Sequence, residues 1–343
     1  AVCELTHADP LAADSCILWS EAIRVAVTQA RFDLAGGLDL LPEDRRSRWA
    51  AWIEQATGAD PATFGRNGYT VTALQAAWAA ITSTLDAPRQ FACDHLRDAL
   101  FAAVRAGHDT DTVAAIAGAL LGARWGASAV PARYRRLVHG WPGLDASDLV
   151  RLAVLTARGG RSDRRGWPAA PDHGYHGWSH PMTVPHPLDP GVVLGTINTP
   201  DHACDAVVTL CRRGTRRPSR IAREDQVDVW LLDSEDLEKN PNLGFVLDDT
   251  AKAVKQLRDE GKTVFLHCVA AQHRTPAVAV AYSRLLGRGP EDDPAIEEAV
   301  GSRRNGLLWN TAHALEPGGI PVRRIAVGMP LQAGWTREDE RWS

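Results

Sequence analysis

The sequence has no apolar run that approaches the ~18–20 residues a membrane-spanning helix needs. Its longest apolar stretch, 114–123, is short and broken by Gly118 and Gly122. It has no basic excess either: 38 Lys and Arg face 42 Asp and Glu, for a formal net charge of -4. Nucleic-acid binders usually present a basic face, so neither nucleic acid nor a membrane is an expected partner. The six cysteines, Cys3, Cys16, Cys93, Cys204, Cys211 and Cys268, form no C-x-x-C pair. That spacing excludes an obvious zinc site or disulfide framework. Scattered thiols in a chain of this size read as reduced, hence cytoplasmic, and all but Cys268 read as small apolar filler. There is no internal repeat and no basic-then-apolar leader at the start. The chain also does not begin with Met, which reads as a fragment or a processed product.

What is present is the composition of a soluble globular protein, 45% hydrophobic and 23% charged over 343 residues, long enough for two domains. Before about residue 160 the apolar spacing is helical. Helices are expected over 12–30, 45–55, 71–85, 96–106 and 112–125, with Gly, Pro and Asp punctuation between them. Residues 158–175 change character: RGGRSDRRGWPAAP opens this segment, with little to bury. A solvated interdomain linker is the first reading; the other is phosphate binding by Arg161, Arg164 and Arg165. Beyond it, short Val-, Ile- and Leu-rich runs at 192–197, 206–211, 227–232 and 263–267 alternate with helical patterns at 243–260, 275–286 and 294–303. Short buried strands alternating with helices imply an α/β domain with a central, largely parallel sheet. The expected domains are therefore an all-α unit at 1–157, the linker, an α/β unit at 176–322, and a polar tail at 323–343.

The string Thr263-Val264-Phe265-Leu266-His267-Cys268-Val269-Ala270-Ala271-Gln272-His273-Arg274-Thr275-Pro276 carries the clearest chemistry. A buried strand runs into Cys268, five residues follow, and a helix opens after Arg274 with Pro276 expected at its first position. Between a strand and a helix N-terminus, the backbone N–H groups of Val269, Ala270, Ala271, Gln272, His273 and Arg274 can turn inward around three phosphoryl oxygens. The same field favours a thiolate at Cys268, the form that attacks. Arg274 offers a planar fork to the phosphoryl group, and Thr275 can donate its hydroxyl to the sulfur. A buried structural Cys with an unrelated Arg is the bland alternative; the strand, His267, Thr-Pro and the helix together speak against it. The string resembles the H-C-x5-R-[S/T] signature of protein tyrosine and dual-specificity phosphatases over about 176–315. The resemblance implies phosphomonoester hydrolysis through a phosphocysteine, with no cofactor and with phosphorylated protein as the partner. It departs at Ala271, where that family usually has Gly. The family also needs a general acid on an earlier loop. Asp233, at the end of the 227–232 strand, is the matching position, with Asp236 second. His267 reads as a hydrogen-bond partner that orients the loop.

The second informative string is Gly107-His108-Asp109-Thr110-Asp111-Thr112 before an Ala-rich helix. Asp109 and Asp111 could face one hard cation such as Mg²⁺, or could simply cap the helix. With the Ala-Ala-Ile-Ala-Gly-Ala-Leu-Leu-Gly-Ala run, Asn67-Gly68-Tyr69-Thr70 and Thr6-His7-Ala8-Asp9-Pro10, this string resembles the ADP-ribosylglycohydrolases over about 1–150. The resemblance implies an all-helical, Mg²⁺-dependent hydrolase acting on ADP-ribosylated protein. Asp109, Asp111 and Thr112 would be metal ligands, and His7 would lie near the ADP-ribose. The family's first metal motif, Thr-Asp-Asp, is missing, so the sequence reads as starting partway through that fold with an incomplete metal site. Two alternatives stand beside a two-module hydrolase: an active phosphatase with a helical scaffold, and a pseudoenzyme that binds modified protein.

Overall fold

The computed structural model describes residues 2–175, 177–199, 203–301 and 306–316. They fall into two units, one within Ala1–Val130 and one from Pro131 on.

The first unit holds α1 (Pro10–Gln29), α2 (Glu43–Ala56), α3 (Thr70–Ser83), α4 (Asp94–Arg105) and α5 (Thr110–Trp125). These start about two residues earlier than the apolar spacing predicts, because the polar first turns carry no hydrophobic signal. At α1, Pro10 takes the first helical position and Asp9 Oδ1 accepts from the Leu11 N–H at 2.9 Å. The core is α3, buried from Val71 through Ile81 except at Thr72 and packed by all four other helices. Its alanines let those neighbours approach closely. Trp49 is fully buried, and its indole N–H donates to Asp14 Oδ2 at 3.1 Å. Arg45 Nε donates to the same oxygen at 2.6 Å, so the buried carboxylate is paired.

The second unit opens with α6 (Ala132–Arg135), the two-stranded pair β1 (His139–Gly140) and β2 (Leu144–Asp145), and α7 (Ala146–Ala157). Asp145 and Asp148 form a capping box at the start of α7. The sequence pattern draws its boundary at 157, whereas the compact units divide at 130. Five strands follow: β3 (Thr183–His186), β4 (Asp189–Thr196), β5 (Ala206–Thr209), β6 (Gln226–Asp228) and β7 (Val264–Cys268). Their order is β3-β4-β7-β5-β6, with β3 antiparallel to β4 and the remaining pairs parallel. The sheet is thus mixed, and β7, buried at every residue, lies between β4 and β5. Gly195 faces this strand because the Phe265 ring lies where a β-carbon would stand, 2.5 Å away. Helices α8 (Leu243–Asp259) and α9 (Arg274–Leu285) pack on β4 and β7, followed by α10 (Asp293–Val300) and α11 (Leu307–His313). Arg284 of α9 and Asp293 of α10 pair at 2.7 Å, each 1% exposed, which ties the two helices together.

Three expectations change. The strand expected at 227–232 ends at Asp228, because β5 ends at Thr209; only Val229 N still reaches Thr209 O, at 2.9 Å. The helix expected at 294–303 is described only to Val300. Residues 158–175 are not simply a solvated linker: His173 and Tyr175 are buried, and Thr215 N and Arg216 N donate to the carbonyls of Ala170 and Pro171 at 3.0 Å. The aromatic residues at the end of this segment give it something to bury. The expected tail, 323–343, lies outside the described residues. No helix among the described residues is long and apolar enough to cross a membrane.

Candidate active site

Cys268 is the last residue of β7, at the C-terminal end of the strand between β4 and β5, and 1% exposed. In parallel sheets this end is where loops gather ligand-binding groups. The backbone anchors it on both sides. Ile197 N donates to Cys268 O at 2.8 Å, and Leu210 N donates to His267 O at 2.8 Å. The loop then runs through Val269, Ala270, Ala271, Gln272 and His273 to α9, which begins at Arg274. Pro276, expected at the first helical position, therefore falls later in the first turn. Ala271 has φ 55°, in the left-handed region, and is 1% exposed. This is the position where the resembled phosphatases use Gly, and the torsion explains why.

Arg274 is held facing this end of the sheet. Its Nη1 donates to Leu210 O at 3.1 Å and to Leu231 O at 3.4 Å. Its Nε lies 3.7 Å from Asp233 Oδ2 and has no hydrogen-bond partner among the described residues. Asp233 Oδ1 lies 3.0 Å from His273 Nδ1. The structure thus brings Asp233, His273 and Arg274 together from two separate stretches of chain. Asp236 is engaged elsewhere: its Oδ1 accepts from Glu238 N at 2.9 Å and caps the turn Leu237–Lys239. Thr275 is 0% exposed and its Oγ1 has no hydrogen-bond partner among the described residues. The expected hydroxyl bond to the Cys268 sulfur is not among the contacts of this structure. His267 Nε2 lies 3.0 Å from Thr209 Oγ1, and its ring stacks on Phe265 at 4.9 Å. Those contacts hold the imidazole against β5 and against its own strand.

The loop has a floor that the sequence did not announce. Ser179 Oγ donates to Val269 O at 2.7 Å, and Asn198 Nδ2 donates to Ser179 O at 3.0 Å and Tyr175 O at 3.1 Å. Val269 itself packs in a buried cluster with Tyr175 and Cys211. Burial pushes the Cys211 thiol up to about 12, so it stays protonated and acts as apolar filler. No motif flags Ser179 or Asn198, because their role is set by where residues 172–199 cross the loop.

In the helical unit, Asn67 is fully buried and clamps the turn before α5. Its Nδ2 donates to Gly107 O at 3.0 Å, and its Oδ1 accepts from Asp109 N at 2.8 Å. Asp109 stands at the N-cap of α5 but its side chain accepts no capping bond. The capping reading therefore does not account for that carboxylate. Asp111 and Thr112 are exposed in the first turn. His7 is exposed, with Nδ1 2.8 Å from Thr6 Oγ1. Among the described residues, no three His, Cys, Asp or Glu side chains gather closely enough to hold a metal ion. Asp109, Asp111 and Thr112 alone do not fit a Mg²⁺ centre of the expected kind, which needs further oxygen ligands.

Residues 1–165 match the sequence model of the ADP-ribosylglycohydrolase family, a hydrolase family, and the match ends well before Cys268. No curated protein and no solved structure matches the chain.

Proposed function

We propose that the sheet unit is a cysteine-dependent phosphomonoesterase acting on phosphorylated protein, joined to an ADP-ribosylglycohydrolase-like stretch. The observation that carries this reading is the Cys268 loop: a buried thiol at the end of β7, a five-residue turn, and Arg274 opening α9 with Asp233 beside it. In the first step the Cys268 thiolate attacks phosphorus, a P–S bond forms, and the P–O bond to the leaving group breaks. Asp233, protonated, gives its proton to the leaving oxygen. The loop N–H groups and the Arg274 guanidinium hold the charge on the three remaining oxygens. In the second step water attacks the phosphocysteine, Asp233 takes the water's proton, and phosphate leaves with the thiolate restored. Thr275, with a buried hydroxyl not otherwise engaged, is the donor this reading assigns to the departing sulfur.

A second reading for the helical unit follows from its incomplete set of metal ligands. It is a binding or scaffold module for ADP-ribosylated protein, and the Mg²⁺-dependent activity of the family is not supplied by Asp109, Asp111 and Thr112 alone.

The test is an aryl phosphatase assay in excess chelator, wild type beside Cys268→Ser. Turnover is expected in the wild type and none in the variant, because a serine hydroxyl stays protonated where a thiol ionises. Undiminished turnover in Cys268→Ser would remove the nucleophile, and with it this reading.

A further inference from the structure

Two arginines, Arg165 and Arg212, stack on aromatic rings near the buried cluster that carries Val269 of the Cys268 loop. Arg165 stacks over the Trp178 ring at 4.8 Å, and Trp178 meets the Tyr175 ring edge-on at 6.2 Å. Tyr175 packs directly on Val269, the first residue after the nucleophile. Arg212 follows Cys211 of the same buried cluster and stacks over Trp167 at 4.4 Å. The two guanidiniums are poorly neutralised. Arg165 has no acidic partner, and its Nη1 is buried with no hydrogen-bond partner among the described residues. Among the described residues the acidic partner of Arg212 is Asp163, at 3.7 Å, and the other oxygen of that carboxylate is taken by the backbone N–H groups of Arg165 and Trp167 at 2.8 and 2.9 Å. His173, whose ring lies 4.9 Å from that of Tyr175, adds a second orphan, a buried Nδ1 with no partner. Leaving such groups buried and unpaired costs stability unless something binds them. Nearby Arg213 and Arg217 make a useful contrast: both pair with Asp228, at 3.1 and 2.6 Å, and are spent on structure.

We infer that Arg165 and Arg212, with His173 and the Tyr175 and Trp178 rings, form a second anion subsite beside the Cys268 loop, so that the substrate carries another phosphate near the one hydrolysed. This rests on the phosphatase reading for the role of the neighbouring loop. The planar fork of Arg suits a phosphate, and its stacking on Trp fixes the orientation in which it waits. The shared chemistry is two phosphoryl groups a short span apart, whether directly linked or separated by a carbon skeleton.

The experiment measures binding to the 343-residue Cys268→Ser protein by calorimetry at fixed ionic strength. The probes are inorganic phosphate, pyrophosphate, and a sugar bisphosphate. At least one two-phosphate probe should bind about tenfold or more tighter than phosphate, the size of a charge-assisted contact. Tight pyrophosphate marks directly linked groups; tight sugar bisphosphate marks separated ones. Adding Arg165→Gln or Arg212→Gln should bring the ratio to within about threefold, while the exposed Arg220→Gln should leave it, which separates a built site from a general positive field. Arg212→Lys guards against a folding defect, since it keeps the charge and should retain part of the preference. Equal affinity for all probes, or a preference lost equally with Arg220→Gln, overturns the subsite. Aryl phosphate turnover by the wild type is read separately. If it is absent while the preference holds, the phosphatase reading fails and the subsite stands. If it is present without the preference, the subsite alone fails.

Discussion

Two junctions carry the polar residues of interest, and each stands where a helix begins. At 268–274 a buried strand turns into α9, and the Cys268 thiol, the loop and the Arg274 guanidinium lie within one short stretch, met by Asp233 from a neighbouring loop. At 107–112 a turn clamped by Asn67 leads into α5, and it presents Asp109, Asp111 and Thr112; among the described residues no further His, Cys, Asp or Glu joins the two carboxylates to make a metal-binding group. On the phosphatase reading the first junction would be nearly self-contained, because consecutive backbone N–H groups can hold a phosphate. The second depends on oxygen donors from other helices, because a hard cation needs six or more ligands and one helix end offers two or three. A short motif can therefore carry most of an anion site and only a share of a metal site.

The largest effect that sharpens this contrast is at Asp233, the group that the phosphatase reading has the Cys268 loop borrow from a separate stretch of chain. Asp233→Asn keeps the shape beside Arg274 and His273 but holds no proton to give. It should slow hydrolysis of a tyrosyl or alkyl phosphate by about 10²–10⁴-fold, the usual worth of a general acid. An aryl phosphate whose leaving group needs no proton should hardly change. The measurement is kcat for both substrates side by side. Equal slowing of both would move the acid elsewhere, although Asp236, which caps its own turn, is a poor substitute.

Much of this was legible in the chain. The periodicities of the five helices expected between 12 and 125 and of the strands expected at 192–197 and 263–267 follow from buried apolar residues, which is what sequence patterns record. Strand β3 was not legible: Thr183-Val184-Pro185-His186 is short, carries Pro, and pairs only at the sheet edge, where Pro is tolerated. Helix α7 was missed as well, and none of its residues is fully buried. The floor of the loop, Tyr175, Ser179 and Asn198, was hidden for another reason. Those residues act through contacts spanning 19 to 90 positions, which no local pattern encodes. Arg165 could be listed as a phosphate-binding alternative, but only the ring of Trp178 beneath it shows that it is held.

A smaller effect concerns the backbone of the loop. Ala271 sits at φ 55°, where an L-residue is strained, and its methyl is buried. Ala271→Gly relieves the torsion but loses the methyl contact and adds freedom to the unfolded chain, so these terms offset one another. Stability should stay within about 1 kcal/mol of the wild type by urea unfolding. Ala271→Val, branched at a torsion such residues avoid, should cost about 1–3 kcal/mol. If Gly proved more damaging than Val, packing rather than torsion would govern this position, and the backbone reading of the loop would need revision.

The smallest expected effect is at the other junction, and it is nil. If Asp109, Asp111 and Thr112 lack the remaining ligands, Mg²⁺ has no multidentate grip on this chain. A cation held by one or two carboxylates keeps most of its water, and at a solvent-facing helix end its attraction is screened by salt. Titrating Mg²⁺ into the 343-residue protein should therefore leave its melting temperature unchanged. Asp109→Ala should be nearly silent too, since the carboxylate makes no capping bond whose loss would destabilise α5. ADP-ribose release from modified protein should be absent with or without the metal. The contrast between the junctions breaks if Mg²⁺ raises the melting temperature saturably and Asp109→Ala abolishes the rise. The helical unit would then hold a metal by itself, and ligands beyond these three would have to be sought around the N-terminus of α5.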